Sequence, residues 1–332
     1  MRPSRTFVNL LLGAGFVLVL AAAFAYHAQQ SVYPFQLTPG EGGLLQTARA
    51  LHAGMDPWSL ERAPEFYNNY GSAYPWAAER LASLAPPRDL LVSMRLQSAA
   101  YLFLAISLCY LALRQAAADR YSALAASLAI YTALLYSDTI AVKPDSMVLA
   151  LLMLSAVWAL RPGQANAWLA GAIAATAFFA KPQGLLAIPL VALVLWLQGR
   201  RWHAFAAMLV ALAVSVAIAA ALLHAYPYYF EGTVLLHLTA SDVNYPYMLQ
   251  QWAALAGIHA AALIAVVMAV AVALKAGRSV IPTGAARLWA IVALFAFAAL
   301  AAGPGGHTGA YLTYYNQILM PFALIFLALW AL

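Results

Sequence analysis

Apolar runs alternate with short polar intervals along nearly the whole chain. A helix that crosses a hydrocarbon core of ~30 Å needs about 20 apolar residues. The pattern predicts about ten spanning helices, near residues 7–26, 96–113, 121–137, 146–161, 166–180, 184–198, 204–224, 251–274, 288–303 and 311–332. Two of these runs, 121–137 and 166–180, are short, so the count is uncertain by about two. We therefore expect an all-α polytopic membrane bundle, with residues 1–332 as a single transmembrane domain.

Two polar intervals are long enough to carry structure of their own, residues 27–95 and 225–250. In the first interval, apolar positions at 44, 45, 48 and 51 lie on one face of a helix that stops at Gly54 and Pro57. A second helix is predicted near Ser72 to Leu84, after an Asn-Asn-Tyr-Gly turn. Both helices are too short and too polar to span, so we expect them to lie on the membrane surface. The tyrosines that open the second interval are typical of an interfacial aromatic belt.

Composition supports the membrane class and excludes several others. Hydrophobic residues make up 65% of the 332 residues and charged residues only 8%, which a water-soluble globule does not show. The single cysteine, Cys109, lies in an apolar run, so the sequence contains neither a disulfide framework nor a cysteine metal cluster. The first apolar segment, with Arg2 and Arg5 before it, also resembles a signal peptide, but its length favours a retained anchor.

The loop charges predict an orientation. With the N-terminus inside, the inner loops carry ten basic residues and one acid, a charge of +9, and the outer side carries −3, in agreement with the net +6. This is the bias that the positive-inside rule describes. The basic balance therefore indicates topology and contact with anionic lipid. No basic face interleaved with aromatics lies outside the spans, so we expect no nucleic-acid partner.

Most residues with chemical potential then lie on the outer side. Glu41 is at a predicted helix start, and two tight turns carry Lys143-Pro144-Asp145 and Lys181-Pro182-Gln183. Each has a structural alternative. Thr38, Pro39 and Glu41 fit a capping box, and the two lysines fit snorkelling to phospholipid, with their prolines starting the next helix.

The order of these features resembles the GT-C glycosyltransferases, integral membrane enzymes that use polyprenyl-phosphate-linked sugars. The matching motifs are Glu41 to Gly54, Asn69 to Pro75 with Tyr74, Lys143-Pro144-Asp145, Ala180-Lys181-Pro182-Gln183 and, more weakly, Tyr314-Tyr315-Asn316-Gln317. The chain departs from the family at two positions. Gly40 stands where many relatives carry a second acid, and Lys143 stands where arginine is usual.

The resemblance implies transfer of a sugar from a polyprenyl-phosphate donor to a lipid, glycan or protein acceptor, on the outer face of a prokaryotic inner membrane. Such a transfer needs a base for the acceptor proton and positive charge for the departing phosphate. We expect Glu41 to be the base, with a pKa raised at the membrane surface, and Lys143 and Lys181 to bind the donor phosphate. Supporting or orienting roles fall to Asp145, Gln183, Tyr74, Asn316 and His307. Direct attack with one carboxylate base predicts inversion.

Other hypotheses remain open at this point. A transporter or lipid flippase would also have about ten spans, although its ionisable residues usually lie near the bilayer midplane. A third hypothesis is that the protein is a non-catalytic scaffold subunit. Whether the reaction needs a cofactor is unknown. A divalent metal is an option only if the fold brings Glu41 and Asp145 together. His307, in a glycine-rich turn, fits a flexible loop equally well, and the apolar C-terminal end suggests that more chain once followed.

Overall fold

The computed structural model of the protein describes residues 5–38, 40–59, 61, 70–83, 90–116, 118–135, 141–235, 244–258, 260, 271, 275 and 320–326. Within this part of the chain the regular structure is helical throughout. In chain order the helices are α1 (Arg5–Val32), α2 (Glu41–His52), α3 (Ala73–Ala82), α4 (Leu90–Gln115), α5 (Arg120–Leu135), α6 (Asp145–Leu160), α7 (Gln164–Ala180), a 3-10 turn (Pro182–Leu186), α8 (Ala187–Leu197), α9 (Arg201–Ala225), a π-helical turn (Glu231–Leu235) and α10 (Tyr245–Ile258). Residues 320–326 are also helical.

The predicted spans up to residue 224 each coincide with a helix. Of the described helices, α4 and α9 are long and apolar enough to cross a membrane by length and composition. Helices α6 and α8 are apolar but shorter. Most of the three predicted spans after residue 250 falls outside the described residues. The all-helical architecture is thus confirmed, while the figure of ten spans stays a prediction.

The core of the bundle is built on small residues. Helices α4, α6, α7, α8 and α9 surround a buried cluster in which alanine recurs on every helix. Helix α7 is the extreme case: Ala167, Ala170, Gly171 and Ala174 form its buried face. At Gly171 a β-carbon would overlap the carbonyl oxygen of Ala207 in α9. The two backbones can approach this closely only because neither helix carries a bulky side chain at the crossing.

Helix α1 is attached to the bundle near its C-terminal end. Ala23, His27 and Ser31 are buried, at a spacing of four residues, whereas most residues between them are exposed. His27 shares a hydrogen bond of 2.6 Å with the hydroxyl of Tyr131 in α5. The chain therefore leaves α1 at a fixed point on the bundle, and the segment that follows is positioned for α2.

The two short helices of the first polar interval form where they were predicted. Helix α2 ends at His52, and Gly54 follows with φ +71, a conformation that favours glycine. Leu44 and Ala48 of α2 pack with Tyr74 and Ala78 of α3 in a second small core. Leu90 and Met94 of α4 complete this core. Both helices therefore lie against the end of the bundle.

One aromatic residue after α9, Tyr229, is more buried than a residue of an interfacial belt would be. Tyr229 is 2% exposed and its ring lies 5.1 Å from that of Trp58, which is fully buried. The Tyr229 hydroxyl accepts a hydrogen bond of 3.3 Å from the Ser72 backbone N–H. The prediction of an interfacial belt is wrong for Tyr229, because its ring packs on Trp58 and its hydroxyl is hydrogen-bonded to Ser72, both in the first polar interval. Tyr228 remains exposed, as a belt residue would be.

The close crossing of α7 and α9 predicts the effect of one added methyl group. Gly171→Ala should lower the free energy of unfolding by about 1–3 kcal/mol, because a backbone carbonyl cannot move aside as a flexible side chain can. Gly43→Ala is the matched control, since a β-carbon at this exposed position of α2 meets nothing within 4 Å. That change should be neutral or stabilising by less than about 1 kcal/mol. Thermal unfolding in detergent measures both, and equal melting temperatures for the two variants would show that the crossing is looser than described.

Candidate active site

Glu41 opens helix α2 and is completely buried. Its carboxylate accepts four hydrogen bonds. Arg95 Nε and the backbone N–H of Val142 donate to Oε1, at 3.0 and 2.8 Å. Arg95 Nη2 and the backbone N–H of Leu37 donate to Oε2, at 2.7 and 2.6 Å. A carboxylate offers about four lone-pair sites, so this set of donors occupies all of them.

Arg95, in the second turn of α4, is 1% exposed and uses its whole guanidinium group. Besides Glu41, it donates to the backbone carbonyls of Gln30, Tyr33 and Phe35. Those carbonyls belong to the end of α1 and to the segment that leads into α2. The Glu41–Arg95 pair therefore joins α1, α2 and α4 to residue 142, the start of the Lys143 segment.

The environment of Glu41 differs from the predicted one in two respects. Burial raises the pKa of the carboxyl, but the hydrogen bonds from Arg95 and the two backbone N–H groups outweigh it and hold the pKa below its usual value. The expected rise is thus wrong in direction. The capping box is also wrong: Gly40 is the N-cap, and the Thr38 hydroxyl is buried without a hydrogen-bond partner among the described residues. Glu41 reaches back to Leu37 instead.

Lys143, Asp145 and Lys181 lie together where the start of α6 meets the C-terminal end of α7. Lys181 Nζ donates to Asp145 Oδ1 at 2.8 Å, and both side chains are more than nine-tenths buried. Lys143, 8% exposed, makes no hydrogen bond or ion pair within the described part of the chain. Burial lowers the pKa of Lys181, Asp145 opposes this, and the charge of Lys143 lowers it further. The two ammonium groups are therefore close enough to repel each other.

The backbone around Lys181 explains how it reaches Asp145. Pro182 starts a 3-10 turn, as a proline at a first helical position does. At Gly184 a β-carbon would overlap the Ala177 carbonyl, so only glycine lets this turn fold back on α7. Gly71 passes the end of α7 in the same way, against the Phe179 carbonyl. The neighbouring Tyr70 ring lies 5.6 Å from Lys181 Nζ, a cation–π distance.

The remaining predicted residues fall into two groups. Tyr74 is fully buried in α3, and its hydroxyl bonds the Met94 carbonyl at 3.2 Å and Ser98 Oγ at 2.8 Å, on either side of Arg95. Burial raises its pKa, and the charges of Glu41 and Asp145 raise it further. Gln183 follows Lys181, with a buried Oε1 that has no partner among the described residues. His307 and Asn316 lie outside the described residues.

A metal shared by Glu41 and Asp145 does not fit this arrangement. The fold brings the two residues to one region, because Val142 contacts Glu41 and Asp145 follows three residues later. Glu41, however, has four donors on its two oxygens and no lone pair left for an ion. Among the described residues no group of three or more His, Cys, Asp or Glu side chains has the geometry of a metal site.

Sequence reasoning missed Arg95 and the position of Tyr70. An arginine five residues into the apolar run Leu90-Leu91-Val92-Ser93-Met94-Arg95 was a usable signal. A charge at such a position is rarely tolerated without a partner. The loop pattern places Arg95 in the first polar interval, and this assignment does not reveal its pairing with Glu41, 54 residues earlier. No local pattern indicates that Tyr70 lies over Lys181, because that contact depends on how the first polar interval packs on α7.

No protein-family model matches the sequence, and no curated protein matches it. Among solved structures, the fold matches the crystal structure of ArnT from Cupriavidus metallidurans bound to undecaprenyl phosphate. The TM-score is 0.63 at 16% sequence identity, and the match covers 95% of this chain. The helical fold is therefore similar to that of ArnT. The chain spans about 60% of the length of the ArnT chain, and at this identity the likeness concerns the fold alone.

The buried Glu41–Arg95 pair predicts a large difference between two arginine variants. Arg95→Met leaves a buried carboxylate without its cation and three carbonyls without donors, which should cost about 3–5 kcal/mol of unfolding free energy. Arg80→Met is the control, since Arg80 is 85% exposed beside Glu79 and such a pair is worth less than about 1 kcal/mol. Denaturant unfolding in detergent compares them. Similar losses for both would argue against a buried pair.

The lowered pKa of Glu41 predicts a dependence of stability on pH. A carboxyl whose folded pKa is depressed contributes stability that is present above its unfolded value, here 4.5, and is lost as pH falls through the folded value. Acidification from about pH 7 to about pH 3.5 should therefore reduce the melting temperature of the wild type more than that of Glu41→Gln. Parallel curves for the two proteins would show that Glu41 is not held ionised.

Proposed function

We propose that the protein is a membrane glycosyltransferase that moves a sugar from a polyprenyl-phosphate donor to a hydroxyl of a lipid or glycan acceptor. In the proposed topology the N-terminus is cytoplasmic and the reaction takes place at the outer face of the inner membrane. The proposal rests on one observation: two buried lysines, Lys143 and Lys181, share a site with a single carboxylate, Asp145.

The charge balance of this site favours an anionic ligand. Burying an ammonium group is costly unless it is paired or hydrogen-bonded. Asp145 offsets the charge of Lys181, which leaves Lys143 in excess in a region where the two lysines already repel each other. A phosphate would offset the excess and accept hydrogen bonds from both ammonium groups. The N-terminus of α6, whose first backbone N–H groups have no acceptor within the helix, adds to the attraction for phosphate.

Two further observations support a polyprenyl phosphate rather than another anion. The cluster lies at the ends of apolar helices, where a lipid headgroup can reach it while its chain stays in the membrane. The fold also resembles that of ArnT, whose structure was solved with undecaprenyl phosphate bound. A polyprenyl-phosphate sugar therefore fits both the charge of the site and the architecture that carries it.

The chemistry that this arrangement would perform is a direct displacement. The acceptor oxygen attacks the anomeric carbon of the sugar, and the bond from that carbon to the phosphate oxygen breaks. Lys143 and Lys181 stabilise the negative charge that develops on the departing phosphate, in a site that excludes much of the water. A single displacement inverts the configuration at the anomeric carbon.

Glu41 supports this site by holding the neighbouring backbone in position. Its bond to the Val142 N–H lies next to Lys143, so the carboxylate fixes the backbone from which that lysine projects. The base role expected for Glu41 stays a prediction, and the four donors argue against it. An ionised carboxylate with no vacant lone pair is poorly placed to take a proton from an acceptor.

The experiment is transfer of labelled sugar from a panel of polyprenyl-phosphate donors into membrane lipids or glycans, using membranes that contain the full chain. Wild type should incorporate label, whereas membranes without the protein should not. Absence of incorporation with every donor, together with movement of labelled lipid between leaflets, would instead support the flippase hypothesis.

The lysine site predicts a specific loss of donor affinity. Lys143→Gln should raise the dissociation constant for polyprenyl phosphate by about 10- to 100-fold, because a charge-assisted hydrogen bond contributes about 1.5–3 kcal/mol. Arg49→Gln is the matched control: it removes an exposed positive charge from α2 and should leave binding unchanged. Titration of the purified variants with polyprenyl phosphate measures this, and equal affinities would place the phosphate elsewhere.

A further inference from the structure

The two oxygens of the Asp145 carboxylate have different environments. Oδ1 accepts the hydrogen bond from Lys181 Nζ at 2.8 Å. Oδ2 is buried and has no hydrogen-bond partner in the described part of the chain. A buried carboxylate oxygen without a donor loses the hydration it had in the unfolded chain and gains nothing in return. This oxygen is therefore placed to accept a hydrogen bond that no described residue donates.

Asp145 Oδ2 is one of several such atoms in the same region. Six buried side-chain polar atoms lack a partner among the described residues, and three of them belong to Asp145, Ser146 and Gln183. Asp145 and Ser146 begin α6, while Gln183 follows the lysine that Asp145 binds. Carboxylate, hydroxyl and amide oxygens all accept hydrogen bonds. Their grouping beside the lysine cluster points to a ligand rich in hydroxyl groups.

Comparison of the two carboxylates separates their roles. Glu41 has a donor for every lone pair, whereas Asp145 has one donor on one oxygen. Of these two carboxylates, Asp145 is the one that combines a lysine partner, Lys181, with an oxygen that no described residue donates to. We propose that Asp145 is the general base that takes the proton from the acceptor hydroxyl, an inference that rests on the proposed glycosyl transfer.

Proton transfer to Asp145 accompanies the displacement at the anomeric carbon. The acceptor O–H donates a hydrogen bond to Asp145 Oδ2, and its proton passes to that oxygen as the acceptor oxygen bonds to the anomeric carbon. The bond between that carbon and the phosphate oxygen breaks, and its electron pair leaves with the polyprenyl phosphate, beside Lys143. Asp145 then releases the proton to solvent after the product departs.

Two other roles for Asp145 must be separated from this one. It could serve only as the counter-ion of Lys181, or its Oδ2 could accept from a hydroxyl of the donor sugar. The first alternative is tested in a background where Lys181 is neutral. Lys181→Gln is compared with Asp145→Asn/Lys181→Gln, which removes the carboxylate charge with no ammonium left to balance.

A base predicts that the double variant transfers sugar at least 100-fold more slowly than Lys181→Gln alone, the lower end of what general base catalysis contributes. A counter-ion predicts equal rates, and that result would overturn the proposal. Melting temperatures and membrane levels of the variants, measured in parallel, ensure that folded proteins are compared.

Azide tests the second alternative, in which Asp145 Oδ2 accepts from a hydroxyl of the donor sugar. The same experiment is used if Lys181→Gln transfers sugar too slowly to measure. Azide is an anion that can attack the anomeric carbon with no proton to remove. Asp145→Asn with sodium azide should therefore form glycosyl azide and free polyprenyl phosphate, detected by mass spectrometry. No glycosyl azide from a folded Asp145→Asn that still binds polyprenyl phosphate would refute the base and favour contact with the donor sugar. Failure of the wild type to use any donor would instead refute the proposed transfer itself.

Discussion

The ion pair between Glu41 and Arg95 is the constraint on which the rest of this end of the molecule depends. Both side chains are buried, and their hydrogen bonds reach the end of α1, the start of α2, α4 and residue 142. A buried pair stabilises little compared with an apolar contact of the same size, but removing one member is costly. Its main effect is therefore geometric: segments distant in sequence can meet in only one register, and the Lys143 turn is one of them.

Charge is then distributed unequally between two neighbouring sites. At Glu41, one cation and two backbone N–H groups donate to the carboxylate, and no lone pair on it remains unsatisfied. At Asp145, one lysine is paired, a second buried lysine lies two residues earlier in the chain, and one carboxylate oxygen has no partner among the described residues. A protein gains no stability from such an imbalance in its interior. The first site holds the structure together, while the second is the one that we propose binds a ligand.

The sequence predicts the fold well wherever a local pattern controls it. Apolar periodicity locates the helices up to residue 225, and glycine with proline marks where α2 ends and where the turn after Lys181 begins. Long-range pairing is different. Glu41 and Arg95 are 54 residues apart, Asp145 and Lys181 are 36 apart, and Tyr229 and Ser72 are 157 apart. Motif resemblance selected Glu41, Lys143, Asp145 and Lys181, but only packing reveals which carboxylate is saturated.

That distinction matters for how carboxylates in such a site are assigned. Two acidic residues near one another commonly divide a task, and their environments decide which does what. Position in the chain favoured Glu41, because an acid at a helix entrance on the membrane surface looks available. The contacts favour the opposite assignment, since the carboxylate that is held by four donors can fix a backbone but has nowhere to receive a proton. The carboxylate three residues after Val142 has that capacity, and Glu41 holds Val142 in place. The two residues then act together: the saturated carboxylate of Glu41 positions the segment that carries Asp145, the proposed base.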